Sequence, residues 1–205
     1  VTLVNARLSE RSARGYARFD ALTRPAFAAL SGVAAQTEAD AHRLAARGAK
    51  QVEVCGNLKF DVAIPEALRE QGDPWRRALG GRPAVLAAST REGEEALLLD
   101  AWQAASPAAL LIIVPRHPQR FDAVAAMVQS KGFALARRSA GIPAAETQVW
   151  LGDSMGEMAA YYAMADLAFI GGSLLPLGGQ NLIEAAAPGC PILVGPHTFN
   201  FAQAA

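Results

Sequence analysis

The chain has 205 residues, with 19 Lys and Arg against 19 Asp and Glu and a formal net charge of zero; 52% of its residues are hydrophobic and 19% charged. That balance excludes a disordered polyelectrolyte and supplies enough apolar side chain for a real core, in one domain or one domain plus part of another. It also excludes a nucleic-acid binder that works by bulk charge, because neutralising phosphates needs a surplus of Lys and Arg. Val1 to Val4 reads as a strand already under way, and Phe199 to Ala205 stop without a capping pattern, so a fragment of a longer protein is expected. Cys55 and Cys190 are too few and too far apart for a disulfide framework or a zinc site, and are expected as two buried thiols in a reducing compartment.

In chain order, short apolar or β-branched runs recur at Val1 to Val4, Gly32 to Ala35, Val52 to Cys55, Ala84 to Ala88, Leu110 to Val114, Val149 to Leu151, Leu167 to Ile170 and Ile192 to Val194. Most are continuous, the pattern of strands covered on both faces. Between them, helical periodicity predicts helices over Pro25 to Leu30, Glu38 to Arg47, Glu92 to Gln103, Arg120 to Lys131, Met155 to Met164 and Gln180 to Ala187. Alternating strands and helices mean parallel sheets of right-handed βαβ units, an α/β fold. The rhythm breaks where Asp61, Pro65, Gly72, Asp73-Pro74 and Gly80-Gly81-Arg82-Pro83 cluster, so residues 58–83 are read as an interdomain connection. That leaves residues 1–57 as the end of one domain and 84–205 as most of a second. No run of about 18 apolar residues is present, as a membrane-spanning helix would need.

Ligands of open parallel sheets bind beyond the carboxyl ends of the strands. Four loops there stand out. Ser89-Thr90-Arg91-Glu92 fits an S-x-x-E capping box. Pro115-Arg116-His117-Pro118 holds a guanidinium at a strand tip on a rigid frame, suited to a phosphate or a base edge. In Gly152-Asp153-Ser154-Met155-Gly156-Glu157, Ser154 and Glu157 again match a capping box, while Gly156 lets backbone approach a ligand. Gly171-Gly172-Ser173 to Gly178-Gly179-Gln180-Asn181 is a glycine-rich turn into a helix, whose spare backbone N–H groups are expected to attract a phosphate. Neither the P-loop nor the dinucleotide fingerprint is present. Asn181 and Glu184 share a helix face, where the carboxylate suits both ribose hydroxyls. These loops together predict a nucleotide bound across one sheet edge.

The strings NARLSERS (Asn5 to Ser12), GNLKFD (Gly56 to Asp61), STREGEE (Ser89 to Glu95), PRHPQRF (Pro115 to Phe121), GDSMGEM (Gly152 to Met158), GGSLLPLGGQNLIEAA (Gly171 to Ala186) and GPHTFNF (Gly195 to Phe201) resemble, in order, the bacterial 3-deoxy-D-manno-octulosonic acid (Kdo) transferases of lipid A assembly. The resemblance implies a GT-B glycosyltransferase of two Rossmann-like domains, both incomplete here. The donor, CMP-Kdo, would sit on the C-terminal domain and the lipid A precursor, lipid IVA, on the N-terminal one. It implies that Pro115 and Arg116, then Met155, Gly156 and Glu157, then Asn181, Leu182, Ile183 and Glu184 contact CMP, with Glu184 on the ribose. Lys59 would stabilise charge on the departing phosphate; its alternative is a solvated hinge lysine.

Arg7, Ser9, Arg11 and Ser12 are candidates for the phosphates of the acceptor sugar. His42 and His197 are read as ordinary surface or core residues. The implied reaction is inverting, with a base Glu in an N-terminal part this chain does not contain, so the fragment would bind donor without turnover. No metal and no cofactor is expected, since the donor carries a single phosphate. The resemblance further implies association of the full-length protein with the cytoplasmic face of the bacterial inner membrane and no nucleic-acid partner. Two alternatives remain beside it: another GT-B enzyme, either a UDP-sugar transferase or a sugar-nucleotide epimerase, and a non-catalytic nucleotide-binding α/β domain.

Overall fold

The computed structural model describes residues 1–58, 66–105, 108–186 and 189–201. The chain divides into two compact units, Val1–Val62 and Ala63–Ala205. Among the described residues no helix is long and apolar enough to cross a membrane.

In the first unit, β1 (Thr2–Ala6), β2 (Gly32–Ala35) and β3 (Val52–Val54) form a parallel sheet in that order, with α1 (Glu10–Ala17), α2 (Asp20–Ala28) and α3 (Glu38–Ala46) between them. Its core is small: Ala6, Leu8, Val33, Ala35, Leu44 and Ala49. Buried Asp40 locks the α3 start to the chain after β1, accepting from Leu8 N–H (2.9 Å), the Thr37 hydroxyl (2.6 Å) and Arg43 Nη2 (3.0 Å). Burial alone would raise its carboxyl; these donors outweigh that and hold it below the ordinary value. Helix α1, absent from the periodicity reading, starts where the Ser9 hydroxyl accepts Ser12 N–H (3.2 Å). It has no buried residue, so no apolar stripe marks it in the sequence. Cys55 is exposed, contrary to the expected pair of buried thiols, because it lies just past β3 at the sheet edge; Cys190 is buried.

In the second unit six parallel strands lie in the order β6-β7-β5-β4-β8-β9: β4 (Ala84–Thr90), β5 (Leu110–Pro115), β6 (Leu135–Arg137), β7 (Val149–Leu151), β8 (Leu167–Ile170) and β9 (Ile192–Val194). The side chains of β4 and β5 alternate between two cores. Leu86, Leu110, Ile112, Trp150, Tyr161 and Ile170 pack with Trp75 on one face; Ala87, Leu111, Ile113, Val149, Leu151 and Phe169 meet Leu99, Val124 and Val128 on the other. Helices α5 (Glu94–Ala105) and α6 (Phe121–Ser130) thus cover one face, and α4 (Glu66–Ala78) and α7 (Met158–Met164) the other. Short β6, partly buried throughout, is, among the described residues, the one strand the apolar runs did not predict.

Helix α4 corrects the reading of residues 58–83 as a connection. Its Gly72 and Pro74 look like breakers, yet both lie inside it. A Cβ on Gly72 would stand 2.6 Å from the Ala160 carbonyl oxygen, so the glycine is what lets α4 come down on α7. Three residues on, Trp75 is 4% exposed and meets Trp150 and Tyr161 with ring centroids 5.3 and 5.1 Å away. The breakers mark close packing within the second unit, not a linker.

Candidate functional site

Strand order sets the site. β4 lies at the centre of the six-stranded sheet; the chain then steps to β5 on one side and later to β8 on the other. That reversal leaves a crevice beyond the carboxyl ends of β4, β5 and β8, where open α/β sheets take ligands. The loops after β4, β5, β7 and β8 all lie along this edge, stitched to it by Arg116 N–H on Thr90 O (2.9 Å), Gly152 N–H on Ile113 O (2.8 Å) and Gly171 N–H on Ala88 O (2.8 Å).

Two of the three segments that the resemblance assigns to CMP meet here. Pro115, Arg116, Met155, Gly156 and Glu157, with Ser89, Val114, Ser154 and Tyr161, line one cleft of about 50 Å³. Arg116 is exposed, and among the described residues its side chain joins no ion pair. Gly156 is left-handed (φ 80°) and exposed. Glu157 differs from its neighbours because its carboxylate turns inward. Gln71 Nε2 (2.6 Å) and Arg138 Nη2 (2.8 Å) donate to Oε1, and the Ser154 hydroxyl donates to Oε2. The expected Ser154–Glu157 capping box is therefore a side-chain bridge, not a cap. Arg138 is held in turn over the Trp75 ring, 4.8 Å from its centroid. Beside this, Asp153 accepts from Ser139 N–H (2.8 Å), the Ser139 hydroxyl (2.6 Å) and Arg137 Nε (2.7 Å). Burial would raise the Asp153 carboxyl, but these donors prevail and lower it.

The glycine-rich turn departs from expectation. Glu94 is wholly buried, and Arg91 N–H (2.9 Å) and Gly172 N–H (2.7 Å) donate to its Oε2 while Leu174 N–H donates to Oε1 (3.0 Å). Gly179 and Gln180 N–H are paired with carbonyls of Gly172 and Gly171. The early amides of the turn, expected to be spare, are thus taken up by a carboxylate of the chain itself. Close packing explains the first glycine: a Cβ on Gly171 would lie 2.4 Å from Ser89 O. Ser89 itself sits in the strand at φ 53° and does not cap α5, so the capping box read there is displaced by two residues, with Glu94 taking up Arg91 N–H. The GPHTFNF string braces the turn from beyond β9, through Gly195 N–H on the Ser173 hydroxyl (2.9 Å) and Asn200 N–H on Gly178 O (3.0 Å).

The third segment does not line that cleft. Leu182 and Ile183 are core side chains at 6% and 8% exposure, and Leu182 shares its cluster with Tyr161. Helix α8 (Ile183–Ala186) begins at Ile183, later than the predicted start at Gln180. Asn181 Nδ2 donates to exposed Glu184 (3.1 Å), and Asn181 Oδ1 accepts Ile183 N–H (3.1 Å). Lys59 lies outside the described residues. In the first unit Arg7, Ser9, Arg11 and Ser12 are exposed, with Ser9 and Ser12 engaged in the α1 cap. The sequence reading missed Gln71, Trp75, Glu94, Glu95 and Arg138. Only the paired Glu94-Glu95 at a helix start gave a visible signal.

An open parallel sheet with loops gathered at its switch point makes the second unit a doubly wound, Rossmann-like α/β domain. Residues 1–62 match the family described as 3-deoxy-D-manno-octulosonic-acid transferase (kdotransferase). The chain is 51% identical to the 3-deoxy-D-manno-octulosonic acid transferase of Bordetella pertussis, over 100% of this chain and 50% of that protein, and 38% identical to that of Haemophilus influenzae, over 98% and 49%. The crystal structure of the C-terminal CMP-Kdo binding domain of WaaA from Acinetobacter baumannii superposes with a TM-score of 0.65 at 39% identity, covering 68% of this chain and 76% of that one. The chain belongs to the Kdo transferase family. It spans about half the length of the curated relatives it matches.

Proposed function

We propose that the protein of which this chain is part transfers Kdo from CMP-Kdo to the lipid A precursor, lipid IVA, in lipopolysaccharide synthesis, and that this chain supplies the donor edge. The observation that carries the reading is the shared cleft of Pro115-Arg116 and Met155-Gly156-Glu157 at the carboxyl edge of the second sheet, in a chain similar to a domain described as CMP-Kdo binding. In the reaction, an acceptor hydroxyl oxygen bonds to the anomeric carbon of Kdo as the bond from that carbon to the CMP phosphate oxygen breaks. The hydroxyl proton passes to a carboxylate outside this chain, and CMP leaves. Arg116 and Lys59 offset the charge gathering on the phosphate, and Glu184 holds the ribose. The chain alone binds donor without turning it over. The acceptor is a lipid, so the full-length protein works at the cytoplasmic face of the inner membrane.

The test is calorimetric titration of the full-length protein with CMP, UMP and UDP, repeated with Arg116→Ala and Glu184→Gln. CMP binding weakened by both substitutions, with UDP poor, supports the reading. Tight UDP binding, or CMP binding indifferent to both, sinks it.

A further inference from the structure

The least expected feature of the second unit is a pair of consecutive carboxylates, Glu94 and Glu95, with no exposed surface at the start of α5. They point to different loops. Glu94 gathers backbone N–H groups from Arg91, Gly172 and Leu174, at 2.7 to 3.0 Å. Glu95 takes the Thr90 hydroxyl (2.7 Å) and a forked pair from Arg120 at 2.6 and 3.2 Å, which ties it to the loop after β5. Several amides converging on one point form a concavity that binds anions. Here the anion is built in, and its Cα belongs to the helix that follows β4.

We propose that Glu94 is a positioning residue for donor binding: its carboxylate fills the amide concavity of the turn after β8, fixing that turn against the β4–α5 junction and denying it to the ligand's phosphate. The inference rests on the donor reading above. It extends that reading by assigning Gly171 to Leu174 a structural anion and leaving the ligand phosphate to cationic side chains along the edge. With Glu95 holding the Arg120 loop from the next residue, one turn of α5 sets the spacing between the two loops that flank β4.

The test uses the full-length protein with Glu94→Gln and Glu94→Asp, beside Leu99→Ala, which thins the core under the same helix while leaving both carboxylates and their donors in place. In Glu94→Gln one amide must face an N–H donor instead of an acceptor; in Glu94→Asp the charge stays but falls one methylene short. Calorimetry is expected to show CMP bound about tenfold more weakly by both Glu94 variants, as misplacement of a binding group produces. Leu99→Ala should stay within about twofold, because it removes packing and leaves the carboxylate–amide contacts of the turn intact. Hydrogen exchange should quicken locally over residues 170–175 in the Glu94 variants, a signature that a uniform loss of stability does not give. CMP affinity unchanged in both variants overturns the proposal. So does tighter binding of CMP or inorganic phosphate by Glu94→Gln, because the turn would then be a phosphate seat that the carboxylate merely blocks. Absence of CMP binding by the parent protein strikes the donor reading instead, and the local exchange over 170–175 still decides whether Glu94 holds the turn.

Discussion

Replacing Arg120 by Met should be among the most damaging single changes near the sheet edge, because it strands a charge. Glu95 has no exposed surface, whereas the Arg120 side chain is 17% exposed and closes both Glu95 oxygens from the solvent side. Met fills similar volume but leaves the carboxylate, among the described residues, with only the Thr90 hydroxyl. Breaking a buried pair from one side costs about 3–5 kcal/mol. In a cooperative unit of about 150 to 250 residues, that lowers the melting transition by roughly 6–20 °C. Glu95→Gln should cost less, about 1–2 kcal/mol, because its orphan is a guanidinium that can still reach water. Scanning calorimetry of the parent, both single variants and the double variant closes a cycle. The double should recover about 2 kcal/mol relative to the sum of the singles. A shift below about 2 °C for Arg120→Met, or strictly additive singles, would refute the argument that the pair is buried and mutually dependent.

Trp75→Ala removes the ring that packs on Trp150 and Tyr161 and on which Arg138 stacks; about 3–5 kcal/mol should be lost, read as a lower urea midpoint. A cost under about 1 kcal/mol would return residues 66–78 to the status of a linker. Asp153→Asn probes linkage. The folded-state carboxyl is lowered, so its contribution is complete above the unfolded value near about 3.9 and disappears as pH falls through the folded one. The stability gap between parent and variant, from denaturant titrations, should therefore be constant from about pH 7 to pH 5 and shrink below about pH 4. A gap independent of pH would show that the Asp153 charge does not hold the Ser139–Arg137 cluster.

What could be read from the sequence follows burial. The strands of the second sheet are continuous apolar runs because both faces are covered, so Leu110 to Val114 and Leu167 to Ile170 announce themselves. Helix α4 does not, since Gly72 and Pro74 carry the local grammar of a break while the reason for Gly72 lies on α7, 88 positions further on at Ala160 (160 − 72). Helix α1 and strand β6 are silent for the opposite reason: neither buries enough apolar surface to imprint a period. The candidate site shows the same division. Strand tips bearing Pro115-Arg116 and Met155-Gly156-Glu157 were legible because ligand edges in this architecture follow from strand direction. The inward turn of Glu157 was not, because its partners Gln71 and Arg138 come from segments 86 positions before it (157 − 71) and 19 before it (157 − 138).

Those inward turns bear on the chemistry of the edge. Beside exposed Glu92 and Glu184, four carboxylates on or beside the loops that face the crevice turn inward, namely Glu94, Glu95, Asp153 and Glu157. Exposed there, they would repel any phosphate-bearing ligand at the short range where charges interact most strongly. Each is instead spent within the protein: Glu94 on backbone amides, Glu95 on Arg120, Asp153 on Ser139 and Arg137, Glu157 on Gln71, Ser154 and Arg138. The same contacts that order the loops thereby remove negative charge from the surface a ligand meets, while Arg116 stays exposed and outside any ion pair among the described residues. A chain of zero net charge can in this way keep one exposed guanidinium at its edge outside any such pair. That local contact depends on where the carboxylates point, not on a surplus of Lys and Arg, and this is why overall charge excludes bulk nucleic-acid binding yet leaves room for a single phosphate.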